Sequence, residues 1–378
     1  LFFSTLISSE DNVVLVISMD GLRHDYPAKS KSGGFSFISS NGLVAESLVP
    51  VYQSTTFPTH VSMATGVYPD KHGIMHNSFY DREKGSYSYS PEANWIQSKP
   101  IWAYLEEKGI KTATYFWVGS ETAWNGINIT YNKFPFSNSV SEETKIQQII
   151  DWLSLPDTER PRLIMTWWHG IDSVAHKHGM NHISVAKKFA EQDGHLLDLI
   201  NKIEAEDLWK KLTLIVVSDH GMTDISNFIN VKEILKKADI QAKTSIGPAV
   251  AHIFLEDQKD LSKAIKVFQR NKFLEVKSKV EISNTLHLVH PTRTGDIVIL
   301  TKSPNMLVSR KSNNPPIGMH GYNPENNKDM EGIFLAYGNK VKPSQINKVK
   351  QVDVAPTILS LMNIDIPTYM EGKKIELN

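Results

Sequence analysis

Val13-Val14-Leu15-Val16-Ile17-Ser18-Met19-Asp20-Gly21 is a continuous, largely β-branched apolar run that stops at a carboxylate and a glycine. A strand with one wet face alternates apolar with polar residues. This one does not, so it reads as a strand buried on both faces by helices. Asp20, at its C-terminal end, then stands where parallel α/β sheets place their ligand sites. The same grammar returns at Arg162-Leu163-Ile164-Met165-Thr166-Trp167-Trp168, which precedes Asp172. It returns again at Leu212-Thr213-Leu214-Ile215-Val216-Val217-Ser218, which runs directly into Asp219-His220. Three strands therefore aim carboxylates at one edge of one sheet.

Helix-like segments separate these runs, chiefly 183–212, with Val185, Phe189, Leu196, Leu199, Ile200 and Ile203 on one stripe, and the shorter 101–108. Strands alternating with helices predict an α/β fold with a doubly wound, mostly parallel sheet. From 225 to 317 the pattern changes to a strand at 248–256, a helix at 260–270 and a strand at 295–301, which reads as a small α/β cap insertion. The core resumes with a strand at 333–336 and a helix at 353–362. The expected organisation is an N-terminal segment 1–12, a core in two parts, 13–224 and 318–378, and an inserted cap subdomain, 225–317.

At 40% hydrophobic and 22% charged, the 378 residues exclude the disordered and fibrous classes. Forty-one Lys plus Arg balance 41 Asp plus Glu, so global charge gives no reason to expect a stable nucleic-acid complex or a membrane surface as partner. Any phosphate recognition must be local. No stretch is long enough to span a bilayer. The opening Leu1-Phe2-Phe3-Ser4-Thr5-Leu6-Ile7-Ser8-Ser9 has the apolar-then-small order of the end of a signal peptide, which implies a secreted or periplasmic protein; an ordinary terminus or short strand is the alternative.

With no cysteine in the chain, metal sites must be built from His, Asp and Glu. Asp172-Ser173-Val174-Ala175-His176 sets a carboxylate and an imidazole four residues apart, on one face if the loop turns into a helix. Asp219-His220 supplies the same pair at a strand end, and Asp20 and His320 complete three carboxylates and three imidazoles. Six such donors suit two Zn²⁺ ions sharing one site, with positions left open for substrate or water. Two zinc ions and three carboxylates leave a net charge of about +1, which suits a singly charged phosphodiester better than a dianionic monoester.

A hydroxyl for nucleophilic attack is offered by Thr56, in Ser54-Thr55-Thr56-Phe57-Pro58-Thr59-His60, at the start of an expected helix at 59–64. Pro58 fits a first helical turn, where its missing N–H costs nothing. A hydroxyl there faces unpaired backbone N–H groups and the positive end of the helix dipole. The other reading of Thr56 is a plain helix cap.

In this order, Asp20, Thr56, Asp172, His176, Asp219, His220 and His320 resemble the nucleotide pyrophosphatase/phosphodiesterase family of the alkaline phosphatase superfamily. The resemblance is carried by Ser18-Met19-Asp20-Gly21-Leu22-Arg23, Thr56-Phe57-Pro58-Thr59-His60, Thr65-Gly66-Val67-Tyr68-Pro69-Asp70-Lys71-His72-Gly73-Ile74, Phe116-Trp117-Val118-Gly119-Ser120-Glu121, Ser218-Asp219-His220-Gly221-Met222 and His320-Gly321-Tyr322-Asn323. It implies an alkaline-phosphatase-like core, one zinc held by Asp172, His176 and His320, and a second held by Asp20, Asp219, His220 and the Thr56 oxygen. It further implies Asn77 as a donor to a phosphate oxygen, with Phe57 and Tyr131 as substrate-binding aromatics. The implied reaction opens a phosphodiester or pyrophosphate bond of a small nucleotide substrate through a phosphothreonine and releases a nucleoside 5′-monophosphate. Thr59 stands where most members have Asn, and the absence of cysteine suggests a bacterial-type, single-domain member. Rival readings are a choline-type phosphodiesterase, a phosphonate or phosphomonoester hydrolase, and a catalytically dead binding protein. His60, His72, His76, His169, His178 and His182 are read as support or surface groups, and the tryptophans as core or cleft wall.

Overall fold

The computed structural model describes residues 12–378, so the signal-like segment 1–9 lies outside the described residues. Its centre is an eight-stranded sheet in the order Ser344–Ile346, Leu43–Ala45, Phe334–Gly338, Leu212–Val217, Val13–Met19, Leu163–Trp168, Thr112–Tyr115, Tyr131–Lys133. Every pairing is parallel except the two made by Phe334–Gly338, which runs against its neighbours. Val13–Met19 lies at the middle, with Leu15 beside Ile164 on one side and Leu214 on the other.

The absence of alternation in these strands has its expected cause. Val14, Val16, Met165, Ile215 and Val217 pack into one core with the helices Thr56–Thr65, Ile101–Glu106 and Val354–Leu361. Val13, Leu15, Ile17, Ile164, Leu214 and Val216 pack into a second core on the opposite face, under Gly34–Asn41, Glu142–Leu153 and Ile183–Ala205. Both faces of the sheet are thus withdrawn from water, worth about 1.5–3 kcal/mol for each large aliphatic side chain.

Between the core strands, Ala242–Ile246, Val250–Leu255, Ile297–Leu300 and Glu275–Ser278 form a separate four-stranded antiparallel sheet with its own core, backed by Val231–Lys237 and Leu261–Gln269. Fully buried Arg293 ties this sheet to the main body. Its Nε donates to Asp81 Oδ2 at 2.8 Å, and its Nη1 reaches the carbonyls of Gly73 and Trp95.

The long helix ends at Ala205, seven residues short of the expected 212. Asp207 adopts a left-handed φ of 52°, and a short turn, Trp209–Lys211, leads straight into Leu212–Val217. The helix that begins with Thr56 is longer than expected, Thr56–Thr65 rather than 59–64.

Candidate active site

Each strand that ends in a candidate ligand delivers it to the same edge of the sheet. Asp20 follows Met19, Asp219 follows Val217 by two residues, and the strand Leu163–Trp168 leads through a tight turn into the helix Asp172–His178. That turn is built on glycine. Gly170 has φ 56°, and a Cβ there would stand 1.9 Å from the Asp20 carbonyl oxygen, so only glycine lets the two strand ends approach. The Asp172 segment does turn into a helix, and His176 Nε2 meets Asp172 Oδ1 at 3.1 Å one turn on.

Two clusters result. Asp172, His176 and His320 form one, and Asp20, Asp219 and His220 the other; within each, the donor atoms all lie within 4.8 Å of one another. The clusters adjoin, because the His220 and His320 rings stack at 3.5 Å. All three imidazoles are set the same way. His176 Nδ1 donates to Gly318 O at 2.8 Å, His220 Nδ1 to Gly221 O at 2.9 Å and His320 Nδ1 to Ser54 O at 2.9 Å. A carbonyl can only accept, so each Nδ1 carries a proton, and in the neutral ring each Nε2 presents a lone pair to its cluster.

The carboxylates complete the pattern. Asp219 Oδ1 is held by the Gly21 and His220 N–H groups, both at 3.0 Å, and Asp20 Oδ2 by the Trp167 indole at 3.1 Å. The remaining oxygens, Asp219 Oδ2 and Asp20 Oδ1, together with Asp172 Oδ1, are buried without a hydrogen-bond partner. Burial, followed by the charges of Asp219 and Asp172, pushes the Asp20 carboxyl well above the usual carboxylate range. Burial also opposes charge on Asp172, yet His176, His320 and His220 together hold its carboxyl well below that range. Carboxylate oxygens without a hydrogen-bond partner, gathered beside imidazole Nε2 atoms, make an N/O donor set that fits divalent ions in tetrahedral geometry.

A third His/acid group, Glu142, Glu191 and His195, also brings its donor atoms within 4.8 Å of one another. Its carboxylates are already engaged. Lys188 Nζ lies 2.6 Å from Glu191, and Glu142 takes His169 at 2.7 Å and the buried Lys145 at 3.7 Å.

Thr56 is the first residue of its helix, and the cap position falls to Thr55. The Thr56 side chain caps nothing; its Oγ1 lies 3.4 Å from His220 Nε2. Asn77 Oδ1 accepts the Phe57 N–H at 2.9 Å, which orients the amide and leaves its NH₂ free to donate. His60 Nδ1 and Thr59 Oγ1 both donate to the Thr56 carbonyl, at 2.7 and 2.9 Å, fixing the first turn from behind.

Asp20, Thr56, Asp172, His176 and His320 line a cleft of about 810 Å³ together with Phe57 and Asn77. Tyr131 is a correction to the sequence reading. It sits in the outermost strand, its hydroxyl donates to Glu159 O at 2.9 Å and its ring packs toward Trp152, so it has no place in the cleft wall. The aromatic that reaches the cleft from that part of the chain is Phe136, seated edge-on against Trp167 at 5.1 Å and Phe116 at 5.3 Å. Phe136 was missed because it stands three residues beyond the edge strand Tyr131–Lys133, in a loop whose course the sequence does not disclose. Trp167 was read as packing or wall; its indole bond to Asp20 carries no signal in the sequence.

A mostly parallel α/β sheet with two adjoining N/O donor clusters and a helix-borne hydroxyl at one edge defines an alkaline-phosphatase-like scaffold. Within that class, the chain belongs to the type I phosphodiesterase / nucleotide pyrophosphatase family, whose profile matches residues 14–323. It is 27% identical over 353 residues to an uncharacterized pyrophosphatase/phosphodiesterase of Schizosaccharomyces pombe, covering 88% of this chain and 72% of that one. It is 28% identical over 390 residues to human ectonucleotide pyrophosphatase/phosphodiesterase family member 1, covering 96% of this chain but only 41% of that protein. The chain therefore spans under half the length of that relative. Among solved structures, murine ectonucleotide pyrophosphatase/phosphodiesterase 5, an inactive threonine-to-alanine variant in complex with AMP, superposes with a TM-score of 0.87 at 26% identity, over 95% of this chain and 96% of that one.

Proposed function

We propose that this chain is a zinc-dependent phosphodiesterase and nucleotide pyrophosphatase that works through a phosphothreonine on Thr56 whose phosphorus still carries the nucleoside. The observation that carries the reading is the set of three buried, unpartnered carboxylate oxygens facing three imidazole lone pairs, with the Thr56 hydroxyl against His220. In this reading Asp172, His176 and His320 hold one Zn²⁺, and Asp20, Asp219, His220 and the Thr56 oxygen hold the second. Bound there, zinc supplies Lewis-acid charge that favours an ionised hydroxyl and stabilises the phosphoryl oxygens.

The chain's own residues do the rest. The helix start and its anchored first turn aim Thr56 Oγ1 at phosphorus, and the Asn77 NH₂ donates to an equatorial oxygen where charge builds up. Phe57 and Phe136 offer faces for a base. Thr56 loses its proton to solvent, its oxygen bonds phosphorus as the leaving group departs, and water then cleaves the Thr56–phosphorus ester, whose phosphorus still carries the nucleoside, to release a nucleoside 5′-monophosphate. The AMP complex of the murine relative's inactive threonine-to-alanine variant supports both the nucleotide and the role given to Thr56. A secreted or periplasmic location fits relatives named as ecto-enzymes and venom phosphodiesterases, and among the described residues no helix is long and apolar enough to cross a membrane.

One observation favours a second reading. Glu121 lines the same cleft among Phe116, Trp117 and Phe136, an acidic and aromatic setting that would also suit a quaternary amine. Comparing p-nitrophenyl thymidine monophosphate, p-nitrophenyl phosphorylcholine and p-nitrophenyl phosphate on one zinc-loaded preparation separates the readings. The thymidine diester should have the highest kcat/KM. A preference for the choline ester would transfer the assignment to choline diesters, and a preference for the monoester would contradict the charge argument.

A further inference from the structure

A buried cation lies outside the chemistry on Thr56. Lys145 stands in the first turns of the helix Glu142–Leu153 and is fully buried, as Glu142 nearly is. The two charges face each other across one turn, with Lys145 Nζ 3.7 Å from Glu142 Oε1. Burial pushes the Lys145 ammonium down to about 8, while Glu142 pulls it back up. Burial likewise opposes charge on Glu142, yet the His169 hydrogen bond and the Lys145 charge hold its carboxyl well below the usual range. A buried ion pair adds little stability compared with an apolar pair of the same size, which directs attention to what this one holds in place.

It holds the chain that runs from the strand Leu163–Trp168 toward Asp172. Lys145 Nζ donates to Trp167 O at 3.1 Å and lies 5.0 Å from the centre of the Trp167 ring. The next carbonyl, Trp168 O, accepts the Asp20 N–H at 3.1 Å, so Trp167 O points to the opposite side of the strand. There the neighbouring strand Thr112–Tyr115 has already ended, with Tyr115 opposite Thr166, and Phe116 turns off with a left-handed φ of 62°. Lys145 supplies the donor that the sheet does not. Glu142 Oε1 accepts the His169 backbone N–H at 2.9 Å and its Nδ1–H at 2.7 Å. The chain held in this way carries the supports of Asp20: besides Trp168 O, the Ile171 N–H donates to Asp20 O at 2.9 Å and the Trp167 indole to Asp20 Oδ2 at 3.1 Å. The helix that bears Asp172 has separate ties, since His176 Nδ1 donates to Gly318 O and His176 O accepts the Ile317 N–H, both at 2.8 Å.

We infer that Lys145 is a positioning residue for the Asp20, Asp219 and His220 cluster: it sets Trp167 so that the indole occupies Asp20 Oδ2 and leaves Oδ1 for a cation. The inference rests on the reading of the two clusters as cation sites. Without the Nζ donor the Trp167 carbonyl is buried with no partner, the strand end relaxes, and the indole loses its aim at Asp20. The cluster of Asp172, His176 and His320 keeps its own ties, so the two ions respond unequally.

Lys145→Met alone strands the Glu142 charge in the core, so the test uses the neutral pair Glu142→Gln/Lys145→Met, whose amide oxygen still accepts from His169. Metal-stripped wild type, the neutral pair, Trp167→Phe and the protein with all three substitutions are each titrated with Zn²⁺ against a chelating indicator. The neutral pair should bind one of its two Zn²⁺ ions about tenfold more weakly and the other within about twofold of wild type. Loaded with zinc, it should lose about tenfold in kcat on p-nitrophenyl thymidine monophosphate with KM within about twofold. Added to Trp167→Phe, the same pair should cost no more than about twofold in affinity, because the path through the indole is already broken. Wild-type affinity for both ions, equal weakening of both, or a loss of full size in the Trp167→Phe background would each overturn the inference and leave the metal site standing. A wild type that takes up no Zn²⁺ would instead overturn the cation reading of the clusters, and this inference with it.

Discussion

Trp167→Phe should weaken metal binding without unfolding the protein. The Trp167 indole N–H reaches Asp20 Oδ2 at 3.1 Å, in a wall where the ring is held edge-on by Phe136 at 5.1 Å and His169 at 5.0 Å. Phenylalanine keeps a ring in that wall and removes the donor. A hydrogen bond to a charged group is worth about 1.5–3 kcal/mol, so Zn²⁺ affinity and kcat/KM should each fall about 10- to 100-fold. The loss should also depend on pH. Asp20 is raised by burial and by Asp219 and Asp172, and the Trp167 bond opposes that rise, so removing it raises the carboxyl further. Protons then compete better with the cation, and the deficit should grow as pH falls. Competitive titration of metal-stripped protein with Zn²⁺ against a chelating indicator, repeated at several pH values, reads the effect. An affinity equal to wild type at every pH, in a variant with unchanged melting behaviour, would refute this account of Asp20.

Two further outcomes follow from the geometry. Phe136→Ala should lower kcat/KM on nucleotide diesters by the worth of one stacked base, about 1–3 kcal/mol, while Tyr131→Ala leaves those kinetics unchanged, as steady-state assays on p-nitrophenyl thymidine monophosphate would show. Burial holds the imidazoles of His72 and His252 down at about 3, so both stay neutral in the fold where an unfolded chain would protonate them. Stability from these groups is therefore complete above the ordinary histidine value and falls below it, by about 1.4 kcal/mol per histidine per pH unit, until the folded values are reached. Urea unfolding at pH 7 and pH 5 should show this slope, and His72→Gln should make it shallower.

The sequence displayed the centre of the sheet because Val13–Met19, Leu163–Trp168 and Leu212–Val217 are buried on both faces and so lose all alternation. It was silent on the sheet's margins. Leu43–Ala45, Tyr131–Lys133 and Ser344–Ile346 have three residues each, too few for any period to register. The overrun of the long helix has a similar origin, since Glu206-Asp207-Leu208 is compatible with helix and only the left-handed Asp207 ends it. For the site, residue type and place at strand ends were enough to nominate Asp20, Asp172, His176, Asp219, His220 and His320. What could not be read was orientation: the three Nδ1 bonds to backbone carbonyls, the Trp167 support of Asp20, and the choice of Phe136 over Tyr131 all depend on where distant backbone passes.

The account turns on the Thr56 oxygen, and the most direct measurement is to trap the phosphoryl group on it. Zinc-loaded wild type mixed with a radiolabelled nucleotide diester and quenched in acid within the first turnover should yield a peptide bearing the nucleoside monophosphate on Thr56. Thr56→Ala should yield none and lose nearly all turnover while still binding about two divalent ions, because each cluster keeps three other ligands. Turnover by wild type with no protein-bound phosphate at any quench time, or a Thr56→Ala enzyme as fast as wild type, would contradict the claim.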